Sequence, residues 1–394
     1  MLNIKTAVDV IVVGAGPAGS ICACECAKNG FSVLLIEKTA KVGKSNICGG
    51  LLTASVLQNF FIPSRIISRV ILGYKIYSPS GQQILMPFSN PGATVERKNF
   101  DYFLAKEAEN SGVELITSCK VLGVEQDSDS STVNCSLGNI KKTFKADVVV
   151  IANGPKSNLV EGVIPGFYNG LKFVVAMQQH YPLFKNQSYP FFEAFHDAYL
   201  GYGLGWFSPM GNHAIIGIGI LLSEVRELKK RFMHFTARKE FLSKVDLSKI
   251  LKTESALIPF DNFPKKLYSD RILIVGDAGM LCNPFSGDGI YYAMMSGKYA
   301  AQTIATAFEL NDFSKKGLHM YQVMLEKNFR AQFSVCNSMQ KQIYSSPTFA
   351  ERSLTTADKN FVDFIEKIIW SKTLKKLTLR MKLALLINLI KNKS

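Results

Sequence analysis

The stretch Asp9-Val-Ile-Val-Val-Gly-Ala-Gly-Pro-Ala-Gly19 decides the fold of this chain. Its β-branched run predicts a strand, and its glycine-rich turn leads into a helical stretch that reaches about Asn29. A second predicted strand, residues 32–36, ends at Glu37. A strand, glycine turn, helix, strand and acidic residue in this order are the context in which a GxGxxG pattern indicates a dinucleotide site.

Each glycine of this turn has its own physical role. Gly14 permits the tight turn, Gly16 lets the backbone approach a pyrophosphate, and Gly19 allows close packing of the helix on the strand. The helix N-terminus adds unpaired N–H groups and a positive dipole end for the phosphates. Glu37 follows at the spacing expected of a carboxylate that accepts ribose hydroxyls, and its charge would repel a 2′-phosphate. The expected ligand is therefore FAD or NAD, bound by Gly14, Gly16, Ala18, Gly19, Glu37 and Lys38.

A second glycine-rich motif distinguishes between these two ligands. Residues 271–275 form a strand pattern that leads into Gly276-Asp-Ala-Gly279, then into Gly287-Asp-Gly289 and a helical stretch from Ile290 to about Phe308. The motif resembles that of the FAD-containing group that includes aromatic hydroxylases and geranylgeranyl reductases. The resemblance implies that Asp277 binds the ribityl chain and that the turn at Gly287 and Gly289 directs a helix N-terminus at the flavin. The expected cofactor is FAD.

Two shorter segments resemble the same group. Residues 95–101 match its Arg-x-x-Phe-Asp segment, which implies that Arg97 approaches the cofactor. Residues 152–157 resemble its Ala-Asp-Gly-x-x-Ser segment, with Asn153 in the place of the aspartate. A second GxGxxG pattern is absent after Ala152, which argues against a permanent NAD(P)H-binding domain.

A cysteine-glycine-glycine segment follows the first strand–helix–strand unit. Cys48-Gly49-Gly50 resembles the segment of geranylgeranyl reductases that lies beside the isoalloxazine ring. Cys48 would donate a proton or lie near the substrate double bond; the alternative is a buried thiol in a glycine loop. Residues 49–52 and 175–179 also resemble CbrA-type bacterial relatives of these reductases.

A tryptophan segment is the last part of the expected catalytic set. Residues 202–209 resemble the reductases' Tyr-x-Trp-x-Phe-Pro pattern, aligned on Trp206 and Pro209, with Leu204 and Ser208 as departures. Trp206 would form a wall of the substrate pocket; the alternative is a core aromatic residue on a half-buried sheet. The expected catalytic residues are Cys48, Gly49, Gly50 and Trp206.

Neither the cysteines nor the histidines show the spacing of metal ligands. Thiols at i and i+2 on a helix point in different directions, so Cys22, Cys24 and Cys26 are interpreted as small buried helix residues and no metal is expected. The eight cysteines show no pairing pattern, which suits a reducing compartment. The histidines are interpreted as surface or hydrogen-bonded strand residues: His180, His196, His213, His234 and His319.

Composition and charge limit the location and the partners. The start of the chain lacks the pattern of a signal peptide, and no apolar run approaches the ~20 residues of a membrane span. A cytoplasmic protein is therefore expected. The net charge of +15 is concentrated at the end, where residues 370–394 carry seven basic and no acidic side chains. This distribution argues against a nucleic-acid-binding face.

The basic tail allows two interpretations. Its apolar residues recur at helical spacing, which predicts an amphipathic helix lying peripherally on the cytoplasmic face of a membrane. The alternative is a terminal helix packed on the body of the protein with a solvated charged face.

The motifs together predict an α/β fold: a Rossmann-like FAD-binding domain with an inserted antiparallel-sheet substrate domain and a helical C-terminus. The FAD-binding domain is expected at residues 1–70, 97–165 and 265–310, the substrate domain at 71–96 and 166–264, and the helical region with its basic tail at 311–394.

The family resemblance implies an FAD-dependent oxidoreductase that reduces carbon–carbon double bonds of an isoprenoid lipid or prenyl chain. Its electrons would come from an external donor: ferredoxin, reduced flavin or NAD(P)H. The alternative is an FAD-dependent monooxygenase that hydroxylates an apolar or aromatic substrate, because the same FAD motifs serve both activities. A third possibility is a flavin-binding partner protein without turnover.

Overall fold

The computed structural model describes residues 5–43, 48–185, 187–344 and 346–355. The strands are β1 (Ala7–Val13), β2 (Val33–Ile36), β3 (Leu51–Leu52), β4 (Ile67–Tyr77), β5 (Gln83–Val95), β6 (Glu114–Ile116), β7 (Cys119–Gln126), β8 (Ser131–Leu137), β9 (Ile140–Ile151), β10 (Phe173–Pro182), β11 (Phe191–Phe195), β12 (Leu204–Pro209), β13 (His213–Leu221), β14 (Lys252–Pro259), β15 (Tyr268–Ser269) and β16 (Ile272–Ile274). The helices are α1 (Pro17–Lys28), α2 (Ala54–Asn59), α3 (Arg97–Asn110), α4 (Asn158–Val163), α5 (Leu228–Thr236), α6 (Lys239–Leu242), α7 (Ile290–Leu310), α8 (Lys315–Leu325), α9 (Ala331–Ile343) and α10 (Pro347–Thr355).

The first sheet is parallel at its centre. Strands β16, β9, β1, β2 and β6 lie side by side in this order and are all parallel, with β15 antiparallel at one edge. Strands β7 and β8 extend the first half of β9 as an antiparallel meander. The central strands are apolar and buried throughout their second halves, as expected for parallel strands that are covered on both faces.

Helices α1 and α7 pack against each other closely. A Cβ atom at Gly297 of α7 would lie 2.2 Å from the carbonyl oxygen of Ala18 in α1, so only glycine fits there. This contact brings the N-terminus of α7 next to the glycine turn at the start of α1. Both helix N-termini therefore lie at the carboxyl ends of the parallel strands, the edge at which such sheets bind ligands.

The second sheet is almost entirely antiparallel. Its order is β14, β10, β13, β12, β11, β4, β5 and β3, and only the β11–β4 pair is parallel. Tyr77, Phe195, Phe207 and Phe241 form an aromatic core on one face, together with helix α5. The opposite face is turned toward the carboxyl ends of the first sheet and the last helices.

The final described helices connect the two sheets. Helix α8 continues through a π turn at Glu326–Arg330 into α9. In α9, the amide of Gln340 donates to the carbonyl oxygens of Phe260 (3.1 Å) and Pro284 (2.6 Å). Glu351 of α10 accepts hydrogen bonds from Ser78 and Ser80. These bonds hold α9 and α10 over one end of the second sheet.

The predicted fold class is confirmed: a Rossmann-like parallel sheet, a second antiparallel-rich sheet and C-terminal helices. The predicted domain limits stay a prediction. The basic tail, residues 370–394, lies outside the described residues. Among the helices that the structure does describe, none has the length and apolar character needed to cross a bilayer.

Candidate active site

A cavity of about 910 Å³ lies between the carboxyl ends of the first sheet and one face of the second. We call its polar part the glycine end, which is lined by residues 13–18, 36–39 and 152–159. We call its other part the apolar end, and its walls come from the second sheet and the last helices: Ile76, Ile84, Met86, Ala194, His196, Leu204, Phe260, Ile343, Tyr344 and Leu354. The junction between them is lined by Cys48, Gly49, Tyr74, Phe192, Trp206, Asp277, Cys282 and Asp288.

The glycine turn has the geometry that its sequence predicts. Gly14 has a φ of +107°, and a Cβ atom there would lie 2.4 Å from the carbonyl oxygen of Ala152. A Cβ atom at Gly19 would lie 1.9 Å from the carbonyl oxygen of Gly14. In contrast, no atom lies within 4 Å of a Cβ position at Gly16, which leaves open space in front of the α1 N-terminus. Such space is what a pyrophosphate needs at a helix N-terminus.

The acidic residue at the end of β2 also lies at the glycine end. The carboxylate of Glu37 accepts hydrogen bonds from the backbone N–H of Ala15 (3.0 Å) and from the N–H of Thr39 (2.9 Å). A carboxylate has about four acceptor positions, so capacity remains for a ribose hydroxyl. Lys38 lines the cavity beside it.

One buried polar atom at the glycine end lacks a partner. The side-chain oxygen of Asn153 has no hydrogen bond within the part of the chain that the structure describes. Buried polar atoms are nearly always paired, so this oxygen indicates a missing donor from a bound molecule. With Asn153 in place of the family's aspartate, the position offers a neutral acceptor instead of a charge.

A buried ion pair brings a cation to the junction. Arg97, the first residue of α3, donates two hydrogen bonds of 2.9 Å to the fully buried carboxylate of Asp101. Burial opposes the charge of Arg97, but the Asp101 carboxylate and the neighbouring Cys48 thiol outweigh burial and raise the pKa of the guanidinium. The two hydrogen bonds to Asp101 hold the charged guanidinium of Arg97 in one orientation.

Two carboxyl groups at the junction have raised pKa values. Burial raises the pKa of Asp277 to about 6, and the guanidinium of Arg97 opposes the shift. Burial raises the pKa of Asp288 to about 7, although the backbone N–H groups of Tyr291 and Ile290 donate to its carboxylate and oppose the shift. A carboxyl group that titrates near neutral pH is suited to give up a proton in catalysis.

Asp288, Tyr74 and Cys282 interact at the junction, and none of them was predicted as a site residue from the sequence. Asp288 lies between the two predicted glycines of its motif, so its position could have been recognised. The sequence around Tyr74, on β4, gives no such signal. Burial, Asp288 and Cys48 raise the pKa of Tyr74, and burial followed by Asp277, Asp288 and Cys48 raises the pKa of Cys282. Both side chains therefore stay protonated at neutral pH.

The cysteine-glycine-glycine segment lies at the junction except for its last residue. Cys48 and Gly49 line the cavity, whereas Gly50 is buried behind it with a φ of +69°. A Cβ atom at Gly50 would lie 2.3 Å from the carbonyl oxygen of Val95. Gly50 therefore sets the path of the loop. The catalytic roles proposed for Cys48 and Gly49 stay predictions.

The tryptophan wall depends on glycines in the neighbouring strand. A Cβ atom at Gly217 of β13 would lie 2.3 Å from the indole ring of Trp206, so the ring lies flat on the sheet at this point. Ser208, a departure from the reductase pattern, donates a 2.5 Å hydrogen bond to the carbonyl oxygen of Gly49. The buried indole nitrogen has no hydrogen-bond partner in the described part of the chain. Trp206 is thus positioned as a wall with a free donor.

The three cysteines of α1 are small buried helix residues, as predicted. Cys22 and Cys26 are fully buried, and Cys24 is 5% exposed. Across the residues described, no group of three or more His, Cys, Asp or Glu side chains is arranged to hold a metal ion.

The interpretation of the histidines is wrong for one of them. His180 and His213 lie on neighbouring strands and hydrogen-bond to each other (3.1 Å), and His319 bonds to Tyr268. His196, however, is buried just after β11 and lines the apolar end of the cavity. Sequence spacing carries no signal for this, because the cavity wall is assembled from separate strands.

These features define an FAD-dependent oxidoreductase. The turn at Gly16, the free oxygen of Asn153 and the N-terminus of α7 fit the pyrophosphate and polar groups of the cofactor. The cofactor-binding residues predicted from the sequence line the cavity, apart from Gly19, which packs behind the turn. Their individual binding roles stay predictions.

Comparison with known proteins places the chain in a family. A family model described as lycopene cyclase protein matches residues 9–342. The digeranylgeranylglycerophospholipid reductase of Methanocella arvoryzae is 31% identical over 349 residues, which cover 83% of this chain and 86% of that protein. The protein of the same name from Methanocaldococcus jannaschii is 29% identical over 340 residues, with 82% and 83% covered. The chain therefore belongs to the geranylgeranyl reductase family of flavoproteins.

Solved structures share the fold. A geranylgeranyl bacteriochlorophyll reductase-like protein from Thermoplasma acidophilum superimposes with a TM-score of 0.83 at 22% identity, covering 94% of this chain and 97% of that one. The flavin-dependent brominase Bmp2 gives a TM-score of 0.78 at 19% identity, with 99% and 100% covered. At these identities the likeness shows the fold alone.

Proposed function

We propose that this protein reduces carbon–carbon double bonds in the prenyl chain of an isoprenoid lipid. The observation that carries the proposal is the continuity of the cavity: the glycine end and the apolar end meet at a junction that holds two raised-pKa carboxyl groups. The curated relatives named as digeranylgeranylglycerophospholipid reductases support this class of substrate.

The chain's own residues bind the chain-like substrate and exclude water. Bound FAD, once reduced, supplies the hydride. The walls of the apolar end are formed mainly by aliphatic and aromatic side chains, which bind an isoprenoid chain and keep water away from the reacting carbon atoms. The rings of Phe192 and Trp206 lie beside Gly49 at the junction, and the reacting double bond is proposed to lie against them.

The proton comes from the junction. An isolated double bond needs a proton at the carbon that does not receive the hydride, and the donor must be oriented toward it. Cys48 was predicted for this task. The structure adds Asp288, whose carboxyl group lies in the same cavity wall and has a pKa of about 7. We propose Asp288 as the acid, with Tyr74 beside it as a protonated group that orients the transfer.

The electron donor and the location belong to the same proposal. We propose an external donor, since a second dinucleotide motif is absent from the sequence. We also propose that the basic tail attaches the protein to the cytoplasmic face of a membrane, where its lipid substrate resides. Flotation with anionic vesicles, comparing the full chain with a chain that ends before Trp370, tests the attachment: loss of binding on truncation is expected, and unchanged binding would contradict it.

Mass spectrometry of a lipid extract tests the activity. The flavin-loaded protein is incubated anaerobically with the extract and dithionite. A protein-dependent gain of hydrogen pairs in a prenyl lipid is expected, and it would identify the substrate. If the lipids change only in air with NADH, by gaining an oxygen atom, the protein is a monooxygenase instead.

A further inference from the structure

His196 is a buried polar side chain that the proposed reaction does not use. It is 8% exposed and lines the apolar end of the cavity. No described residue forms a hydrogen bond with its imidazole ring. The ring faces Tyr344 of the segment after α9, with 5.4 Å between ring centroids.

The neighbours of His196 are engaged elsewhere. The hydroxyl of Tyr344 donates to the carbonyl oxygen of Phe285 (2.9 Å). Asp197, the next residue in the chain, accepts from the guanidinium of Arg238 (2.6 Å) and from the backbone N–H of Tyr199 (2.8 Å). The imidazole therefore presents a donor and an acceptor to the cavity from an otherwise apolar wall, where a bound molecule with a polar group can pair with them.

The absence of charge on the His196 ring favours a neutral partner. Burial lowers the pKa of His196 to about 4, so the ring is uncharged at neutral pH. The lysine and arginine side chains in the described cavity wall are Lys38, Arg97, Lys120 and Lys156. They lie on the elements of the first sheet and its connections, away from the apolar end. Among the described residues that line the apolar end, none is a lysine or arginine that could pair with a phosphate group inside the cavity.

We propose that His196 forms a subsite for a neutral oxygen function of the isoprenoid substrate: a hydroxyl, ether or carbonyl group. This inference rests on the proposed function and adds a chemical class to it. The oxygen function binds at His196 while the chain extends toward the junction at Trp206. The distance between the two positions then sets which double bond reaches the cofactor.

Binding measurements on the oxidised, flavin-loaded protein test the subsite without requiring turnover. The probes are geranylgeraniol, its methyl ether, geranylgeranyl diphosphate and the matching prenyl hydrocarbon. We expect the alcohol and the ether to bind more tightly than the hydrocarbon, and His196→Leu to weaken them by roughly 3- to 10-fold, the effect of one hydrogen bond. His196→Leu should bind the hydrocarbon at least as tightly as the wild type does, because leucine replaces a polar ring in an apolar wall.

A second variant separates the subsite from a structural role. His196→Gln keeps a donor and an acceptor, so it should recover the preference for the alcohol if hydrogen bonding is responsible. Thermal unfolding of each variant reports any loss of folding. Equal preference for the alcohol in the wild type and in His196→Leu would overturn the subsite, as would tightest binding of the diphosphate. Because binding is measured on the oxidised protein, absence of prenyl reduction would count against the proposed function alone.

Discussion

The two ends of the cavity are built in different ways. The glycine end is formed by short contiguous segments in which backbone conformation shapes the site. The chain turns at Gly14, leaves open space at Gly16, and holds the carboxylate of Glu37 through the backbone of the same turn. The apolar end is formed by single side chains from distant strands and helices, such as Ile84, His196 and Leu354.

This difference separates cofactor binding from substrate selection. A dinucleotide is recognised through phosphates and ribose, for which a fixed backbone geometry is sufficient. An isoprenoid chain is recognised by the shape of the wall around it and by a few polar groups. Substitutions at the glycine end should therefore change flavin content, whereas those at the apolar end should change only which lipid is accepted.

The largest effect is expected for Gly19→Ala compared with Gly16→Ala. The added methyl at position 19 would meet the Gly14 carbonyl oxygen at 1.9 Å, so the turn must open and the apoprotein should lose on the order of 4 kcal/mol of unfolding free energy. Position 16 has open space, so Gly16→Ala should fold normally but bind FAD at least about tenfold more weakly.

Thermal unfolding of the apoprotein and flavin absorbance per chain distinguish the two glycines. Gly211→Ala is the control, because no atom lies within 4 Å of its Cβ position and it is far from the turn. Normal FAD affinity in Gly16→Ala would show that the backbone at this position does not approach the cofactor.

The second-largest effect is expected for Asp288→Asn, which tests the proposed proton donor at the junction. The amide cannot supply a proton, so the rate of lipid reduction should fall by roughly 100-fold while FAD stays bound. In the wild type the rate should decline as the pH rises through about 7, because the carboxyl group then loses its proton. Asp288→Asn should abolish this decline.

Two comparison variants identify the acid. Asp288→Glu retains a carboxyl group and should keep much of the rate. If the carboxyl group is the proton donor, Cys48→Ser should lower the rate of lipid reduction by less than Asp288→Asn does. A pH profile that is unchanged in Asp288→Asn but altered in Cys48→Ser would assign the proton to the thiol instead.

The smallest effect is expected for Gly217→Ala, which lies against Trp206 at the junction. A Cβ atom there would lie 2.3 Å from the indole ring, so Trp206 must move into the cavity. We expect the KM for a prenyl lipid to rise by about tenfold, since overpacking costs about 1–3 kcal/mol, while flavin content stays normal. Gly211→Ala in the adjoining turn serves again as the matched control. Reduced flavin content in Gly217→Ala alone would contradict the separation of the two ends.

The sequence predicted the glycine end well because its parts are local. Strand, turn and helix from Asp9 to about Asn29 carry their own signals, and Asp277 follows a strand in the same way. The junction was predicted in part: Cys48 and Trp206 came from family resemblance, while Asp288 was overlooked between two glycines that were identified. Tyr74 could not be found, because only the pairing of the second sheet brings β4 beside the cofactor motif.

The apolar end was beyond sequence reasoning for a similar reason. The sequence predicted an antiparallel sheet in the substrate domain but not which face of that sheet would line a cavity. His196 was interpreted as a surface or hydrogen-bonded strand residue, because the sequence does not show that Tyr344, far along the chain, packs against its ring. The glycines at 217 and 219 make room for Trp206 only through the pairing of β12 with β13, which the sequence does not show.

Anaerobic stopped-flow absorbance of the bound flavin tests the central claim most directly. The protein is first reduced with dithionite and then mixed with the prenyl lipid that mass spectrometry identifies, without oxygen. We predict that the flavin is reoxidised at a rate that depends on lipid concentration, with one reduced double bond formed per flavin. Reoxidation that requires oxygen and is indifferent to the lipid would contradict the account.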